Sequence, residues 1–309
     1  MIGRSARRFG RSGLGYVAIG LPLAIFALLA AFAPEFLSLQ NIVDVNNQIT
    51  ALMLVALGQL LVALIGGIDI SVGSVVSLTS VVIVSVTPTF AVPAALTLGV
   101  VIGLANGLGV GFGVHPLIMT LASMTFLQGL ALLWLAGSGG TVPAPLVFAA
   151  KASLFGLPAA FLWCIAAIAI TSVLLYFTRF GLRLFAIGGN AESAELSGVR
   201  AFWPRLACYV LCSLAGVVAG IYLTGRIVSG DPTMGQPFSL DSVTAIALGG
   251  VQLAGGVGSV AGAVLGTITL GLITNGMNLL GVSPFFSAAL TGVLLLAAIS
   301  LQRRKVIGI

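Results

Sequence analysis

Long apolar runs separated by short polar stretches organise this chain, and the run lengths match a bilayer core. A transmembrane helix needs about 20 consecutive apolar residues. Ten segments meet or approach that length: 14–33, 45–65, 70–86, 92–110, 116–136, 158–178, 206–225, 242–254, 259–277 and 285–301. The segment 242–254 is short for a full crossing. Polar residues collect in an Asn-rich stretch at 35–48, a basic loop at 179–205 and a second polar segment at 226–241. The pattern predicts an all-α polytopic membrane protein of about ten transmembrane helices, some of them broken, in a single transmembrane domain over residues 1–309.

Composition removes the soluble alternative. The chain is 59% hydrophobic and 6% charged, with 41 glycines, whereas a soluble domain carries roughly a quarter of its residues charged. Of its 13 Lys and Arg residues, all but Lys151 and Arg226 fall in three clusters. Arg4, Arg7, Arg8 and Arg11 open the chain, Arg179, Arg183, Arg200 and Arg205 bracket the central loop, and Arg303, Arg304 and Lys305 close it. Lys and Arg are retained on the cytoplasmic face, so the clusters mark one side. Six spans before the loop and four after it put both termini and the loop on that same side, although the clusters played no part in counting spans. Glu35, Asp44, Asp231 and Asp241 then fall on the opposite face. The net charge of +6 is thus a topology signal and not a nucleic-acid footprint. The first run resembles a signal peptide, with Ala31-Phe32-Ala33 as a cleavage site. It is longer than the usual 7–15 residues (roughly) of such a segment and Pro34 follows it, so it reads as a retained helix.

Glycine recurs with helical spacing: Gly99, Gly103, Gly107 and Gly111 lie four apart, as do Gly258, Gly262 and Gly266, and Gly216 pairs with Gly220. Such stripes let helix backbones approach closely in lipid, either within one subunit or between two. Two segments also echo each other. Gly66-Gly67-Ile68 leads to Gly73-Ser74-Val75, and Gly249-Gly250-Val251 to Gly258-Ser259-Val260; each is followed later by Asn-Gly, at 106–107 and 275–276. Both read as breaks in helical structure at membrane depth, which are tolerated where protein or a wet cavity surrounds them.

Few residues could carry chemistry. Asp69, two before Ser71, stands between long apolar runs, where a carboxylate costs about 2.5–3.5 kcal/mol on insertion scales. It suits three roles: an N-cap for the following helix, a contact for solute or a partner subunit, or a proton-coupling acid. Gln59, Asn106, Gln128, Asn275 and Asn278 are scattered through the spans. Asn275 and Asn278 share one helix face, suited to a polyhydroxyl solute or to interhelical hydrogen bonds. His115 precedes Pro116 and reads as a cap or interfacial residue. Cys164, Cys208 and Cys212 read as small packing residues, with no metal-ligand spacing. No catalytic constellation and no phosphate-binding Gly-rich loop with Lys appear, so any energy source lies elsewhere.

The central loop holds a candidate helix. Asn190 is a good N-cap, 191–197 favours helix with Glu192 and Glu195 early, and Gly198 stands where a C′ glycine belongs. Two turns do not persist alone in water, so the helix must dock on something or be a purely interfacial loop.

Here the chain resembles the membrane permease subunits of ribose-type (monosaccharide) bacterial ABC importers. The resemblance rests on the run Gly66 to Ser74, on Arg179-Phe180-Gly181-Leu182-Arg183 followed by Ala186 to Ala191 and Leu196-Ser197-Gly198-Val199, on Ala247-Leu248-Gly249-Gly250 followed by Ala254 to Gly258, and on Asn275 to Val282. It implies a bacterial inner-membrane permease that works with a second permease subunit, a pair of cytosolic ABC ATPase subunits that bind ATP and Mg, and a periplasmic sugar-binding protein. It implies no cofactor in this chain and no covalent chemistry. It makes Gly189, Asn190, Ala191, Glu192, Ala194, Glu195, Ser197 and Gly198 the coupling helix that enters an ATPase groove. Asp69, Ser71, Asn275 and Asn278 are the expected solute-pathway residues, and 35–47 and 226–241 the surfaces facing the binding protein. Ile70 replaces the more usual Leu. Val257 stands where relatives often carry a basic residue, which leaves open whether that loop touches the ATPase. An ion-coupled secondary transporter, or an ABC permease for nucleosides or branched-chain amino acids, are the alternatives.

Overall fold

A computed structural model describes residues 13–154 and 156–300. The terminal basic clusters lie outside the described residues. The helices are α1 (Gly13–Phe32), α2 (Leu39–Leu64), α3 (Val72–Ser85), α4 (Pro88–Gly111), α5 (Pro116–Trp134), α6 (Ala144–Lys151), α7 (Ala159–Tyr176), α8 (Arg179–Gly189), α9 (Ala191–Leu196), α10 (Phe202–Ile227), α11 (Phe238–Leu248), α12 (Val260–Leu279) and α13 (Pro284–Ser300). One small hairpin pairs β1 (Ser153–Leu154) with β2 (Leu157–Pro158). Six helices, α2, α4, α5, α7, α10 and α12, are long and apolar enough to cross a membrane; α3, α11, α13 and the 19–32 part of α1 are apolar but shorter.

The core forms around α2 and α10, which pack on each other. In its most apolar stretch α2 is 89% buried, against 17% for α5 and 28% for α4 and α7. The outer helices therefore present apolar side chains such as Val101, Phe126 and Ile170 to their surroundings. Close approach is achieved with small residues, as expected where lipid supplies no hydrophobic drive. A Cβ on Gly58 would stand 2.7 Å from Ala215 Cβ, across the α2–α10 contact. The stripe Gly99, Gly103 and Gly107 of α4 lies on Val217, Val210 and Leu206 of α10, and Gly216 and Gly220 of α10 receive Val72 and Thr79 of α3. These stripes thus serve packing within one chain.

The set α2–α5 is repeated by α10–α13. Their lengths are 26, 14, 24 and 19 residues against 26, 11, 20 and 17. Their contacts match as well: α10 packs on α3 and α4 as α2 packs on α11 and α12, and α3 meets α5 as α11 meets α13. Asn106-Gly107 and Asn275-Gly276 fall at equivalent places, in α4 and α12. The two Gly-Gly motifs do not: Gly66-Gly67 joins α2 to α3, whereas Gly249-Gly250 joins α11 to α12.

Both short helices, α3 and α11, begin deep in the bundle. Val72 and Val75, at the start of α3, touch Gly216 near the middle of α10. Val228, with φ 61°, closes α10 in the left-handed region that β-branched residues rarely adopt, and the chain then turns back along α3. Gly230 lies on Val84, the Asp231 N–H donates to Ser80 Oγ at 2.8 Å, the Gly235 N–H donates to Ser77 Oγ at 3.0 Å, and Ser239 touches Gly73. The contacted residues descend α3 from 84 to 73, about 16 Å at 1.5 Å per residue. Then α11 continues for 11 residues, and beyond it the Gly256 N–H reaches Leu64 O at 2.9 Å, at the end of α2. The polar segment 226–241, expected as an outside connection, folds back into the helical bundle along α3 and is re-entrant in that sense. Two of its backbone donors, at Asp231 and Gly235, find serine hydroxyls of α3, as non-helical backbone at depth requires partners within the protein.

Other boundaries differ from the sequence reading for local reasons. The polar stretch 35–48 is mostly helix, because Ser38 caps α2 by accepting the Asn41 N–H at 3.2 Å. The basic loop carries a second helix, α8. Thr178 caps it, Gly181, Leu184, Ile187 and Gly188 make its buried face, and Arg179 and Arg183 stay exposed. The segment expected as a connection before 158 contains α6 and the hairpin.

Candidate functional site

The chain between α2 and α3 leaves helical geometry from Ile65 to Ser71, and side chains from three helices satisfy it. Gly66 takes φ +77°, a conformation glycine adopts without penalty. With the Gln59 amide facing it in the complementary orientation, Asp69 O accepts from Nε2 at 3.0 Å and the Asp69 N–H donates to Oε1 at 3.1 Å. Asp69 is fully buried. Its Oδ1 accepts the Ser71 N–H at 3.0 Å and the Ser71 hydroxyl at 2.6 Å. Asn106 Nδ2 of α4 donates to Ser71 Oγ at 2.9 Å, and Ser123 of α5 donates to Asn106 Oδ1. Thr120 of α5 donates to Ile68 O at 3.3 Å. Asp69 thus binds the amide just ahead of α3, as a capping carboxylate does, and Ser71 relays that contact to two outer helices.

Asn275 and Asn278 separate. Asn275, 4% exposed, donates to Asn41 Oδ1 at 2.8 Å and accepts from Asn41 Nδ2 at 3.3 Å, an amide pair joining α12 to α2. Asn278 is exposed one turn later. Sequence reasoning passed over Asn41, Ser77, Ser80 and Ser123, because a buried hydroxyl or amide in a polar stretch has no signature until its partner is known. Gln128, noted as one of several scattered amides, donates to Pro232 O at 2.8 Å and steadies the re-entrant segment. His115 occupies the N-cap position of α5 without a side-chain cap bond and is exposed. Cys208 and Cys212 are fully buried in α10, and Cys164 in α7 is nearly so.

The candidate coupling helix is present as α9. Asn190 Oδ1 accepts the Ser193 N–H at 2.9 Å, and Gly198 closes the turn at φ +83°. Ala191 and Ala194 turn inward onto Ile65, Ile187, Val199 and Ala201. Gly189, Asn190, Glu192, Glu195, Leu196, Ser197 and Gly198 stay exposed, Leu196 at 85%. Beneath this helix three glycine pairs converge. Gly255 packs on Gly66 and Gly188, Gly256 packs on Gly188 and Gly189, and a Cβ on Gly188 would overlap Leu64 O. The root of α9, the end of α2 and the loop after α11 therefore meet backbone to backbone. No side chain of these glycines separates them.

A model of the family described as branched-chain amino acid transport system / permease component matches residues 41–299. The chain belongs to this permease family. The permease is 34% identical to the ribose import permease protein RbsC of Escherichia coli K12, over 92% of each chain. It is 36% identical to the protein of the same name from Bacillus subtilis, over 93% of each. It is also 36% identical to the L-arabinose transport system permease protein AraH of Escherichia coli K12, over 98% of this permease and 94% of that one. No solved structure matches the chain. The permease is a multi-pass membrane protein built on the α2–α10 core.

Proposed function

We propose that this permease is the membrane subunit of a bacterial ABC importer for a monosaccharide, and that it moves the sugar without making or breaking a covalent bond. The observation that carries the reading is α9, a two-turn capped helix with an exposed outer face and a root locked to α2 through glycine. Its position in the sequence matches the segment by which sugar permeases are expected to meet their ATPases, and the ribose and arabinose relatives supply the solute class. On this reading the protein lies in the inner membrane with about ten crossings and both termini cytoplasmic. The α11 crossing is completed by the re-entrant segment. A second permease subunit completes the passage, a periplasmic binding protein delivers the sugar, and two cytosolic ATPase subunits bind ATP and Mg. Asp69, Ser71 and Asn275 hold the helices that shape the passage, and Asn278 stands free to meet solute.

The test is capture through α9. Glu192→Cys and Glu195→Cys, each introduced singly, are crosslinked in native membranes; the native thiols are buried. Capture of an ATPase-sized partner whose yield changes with ATP is the expected result. No capture, together with uptake by the purified protein on an ion gradient alone, overturns the reading in favour of an ion-coupled carrier.

A further inference from the structure

Asp241 and Gln236 flank the turn where the re-entrant segment becomes α11. Ser239, between them in sequence, touches Gly73 at the start of α3, and that end of α3 lies against the centre of α10. The turn therefore stands near mid-depth of the bundle. Gln236, Pro237 and Leu240 are exposed there and Asp241 is partly so. Asp241 differs from Asp69. The Asp69 carboxylate is enclosed and holds Ser71, whereas Asp241 is partly exposed and, among the described residues, its carboxylate has no hydrogen-bond partner. Elsewhere the long outer helices expose mainly apolar side chains, such as Val101 and Leu104 on α4, Ile118 and Phe126 on α5, and Ile165 and Ile170 on α7, and the exposed hydroxyls of Thr97 and Thr125 are bonded to carbonyls of their own helices. A partly exposed carboxylate and an exposed amide at this depth cannot rest against hydrocarbon without a large penalty, so such groups face water, solute or a partner.

We propose that Gln236 and Asp241 line the solute passage at its midpoint and bind the hydroxyls of a neutral polyhydroxylated solute. The Asp241 carboxylate accepts hydroxyl protons. The Gln236 amide, which can both donate and accept, pairs with the complementary oxygens. A carboxylate is suited to this step because it accepts up to four hydrogen bonds while the solute carries no charge of its own. The inference rests on the permease reading above and deepens it, since it assigns solute contacts to a segment that the sequence pattern places outside the membrane.

Two measurements test it. Gln236→Cys is treated with a charged, membrane-impermeant thiol reagent in the assembled transporter, beside Ile170→Cys on the exposed apolar face of α7 as the unreactive control. Labelling of Gln236→Cys well above the control is expected; labelling no greater than the control overturns the proposal. Asp241→Asn and Asp241→Ala are then assayed for uptake of radiolabelled ribose or arabinose at limiting concentration. Uptake should fall about ten-fold or more, the scale of losing a charged hydrogen bond, while ATP hydrolysis and α9 crosslinking persist. Uptake of both variants at the parent level also overturns it. Loss of α9 capture in the parent protein would instead count against the permease reading itself, so the two failures are distinguishable.

Discussion

Gly188→Ala isolates the contact on which α9, the candidate coupling helix, is founded. A Cβ at Gly188 would overlap Leu64 O and press on the Gly256 backbone. Both neighbours are main chain, one of them at the end of the most buried helix, so neither can rotate away. Its neighbour Gly189 is the control, for no atom lies within 4 Å of a Cβ there. Both residues end α8, and neither requires a positive φ. Alanine should therefore favour helix by about 0.5–1 kcal/mol at either site. Comparing the two variants cancels that gain and leaves the steric effect, about 1–3 kcal/mol for overpacking of a well-packed interior. Gly188→Ala should lie at or beyond the upper end, because backbone bounds it on both sides. Thermal unfolding of the purified permease measures the difference, and ATP-driven uptake in proteoliposomes shows whether α9 still transmits motion. Gly189→Ala should equal or exceed the parent in stability and retain transport, whereas Gly188→Ala should lose both. If the two variants unfold within about 0.5 kcal/mol of each other, the scatter expected of surface substitutions, the packed junction described here is wrong.

Gln59→Leu keeps a side chain of similar size in α2 but removes its polar atoms, leaving the Asp69 N–H and C=O without the amide that satisfies them. A penalty of about 1–3 kcal/mol per stranded buried group is expected, read as a lowered unfolding midpoint in detergent. The Asn41–Asn275 pair should show a coupling of about 0.6 kcal/mol, and at most about 1.7, the range of interhelical hydrogen bonds in membranes; a double-mutant cycle with alanine measures it, and strict additivity would refute the pair. Leu196→Asp should leave thermal stability unchanged, since the side chain is 85% exposed, while reducing ATP-dependent uptake and crosslinking from Glu195→Cys. A stability loss there would mean that Leu196 packs within the permease rather than against a partner.

The residues that revealed themselves in sequence did so through local physics. Asn190 and Gly198 delimit α9 because capping needs only neighbours along the chain. The α4 glycine stripe was visible for the same reason, its four-residue spacing being a property of one helix. What the stripe packs on was not visible, since α10 lies about a hundred residues further along.

Lipid imposes the larger part of what the sequence determined. A bilayer core offers no partner for a free peptide group, so an apolar run of sufficient length must be helix, and α2, α4, α5, α7, α10 and α12 follow from run length with little else consulted. Tertiary structure decided where that rule is suspended. The break at 65–71 survives at depth because Gln59, Asn106 and Thr120 reach it from three helices, and the re-entrant segment survives because Ser77, Ser80 and Gln128 do the same. Gly235 and Ser77 are 158 residues apart, as Asn41 and Asn275 are 234 apart. Hydropathy sums over neighbours and cannot register such pairs. It therefore read 226–241 as an outside polar segment, when distant hydroxyls and an amide allow that chain to fold back along α3 and bring the start of α11 to mid-depth of the bundle.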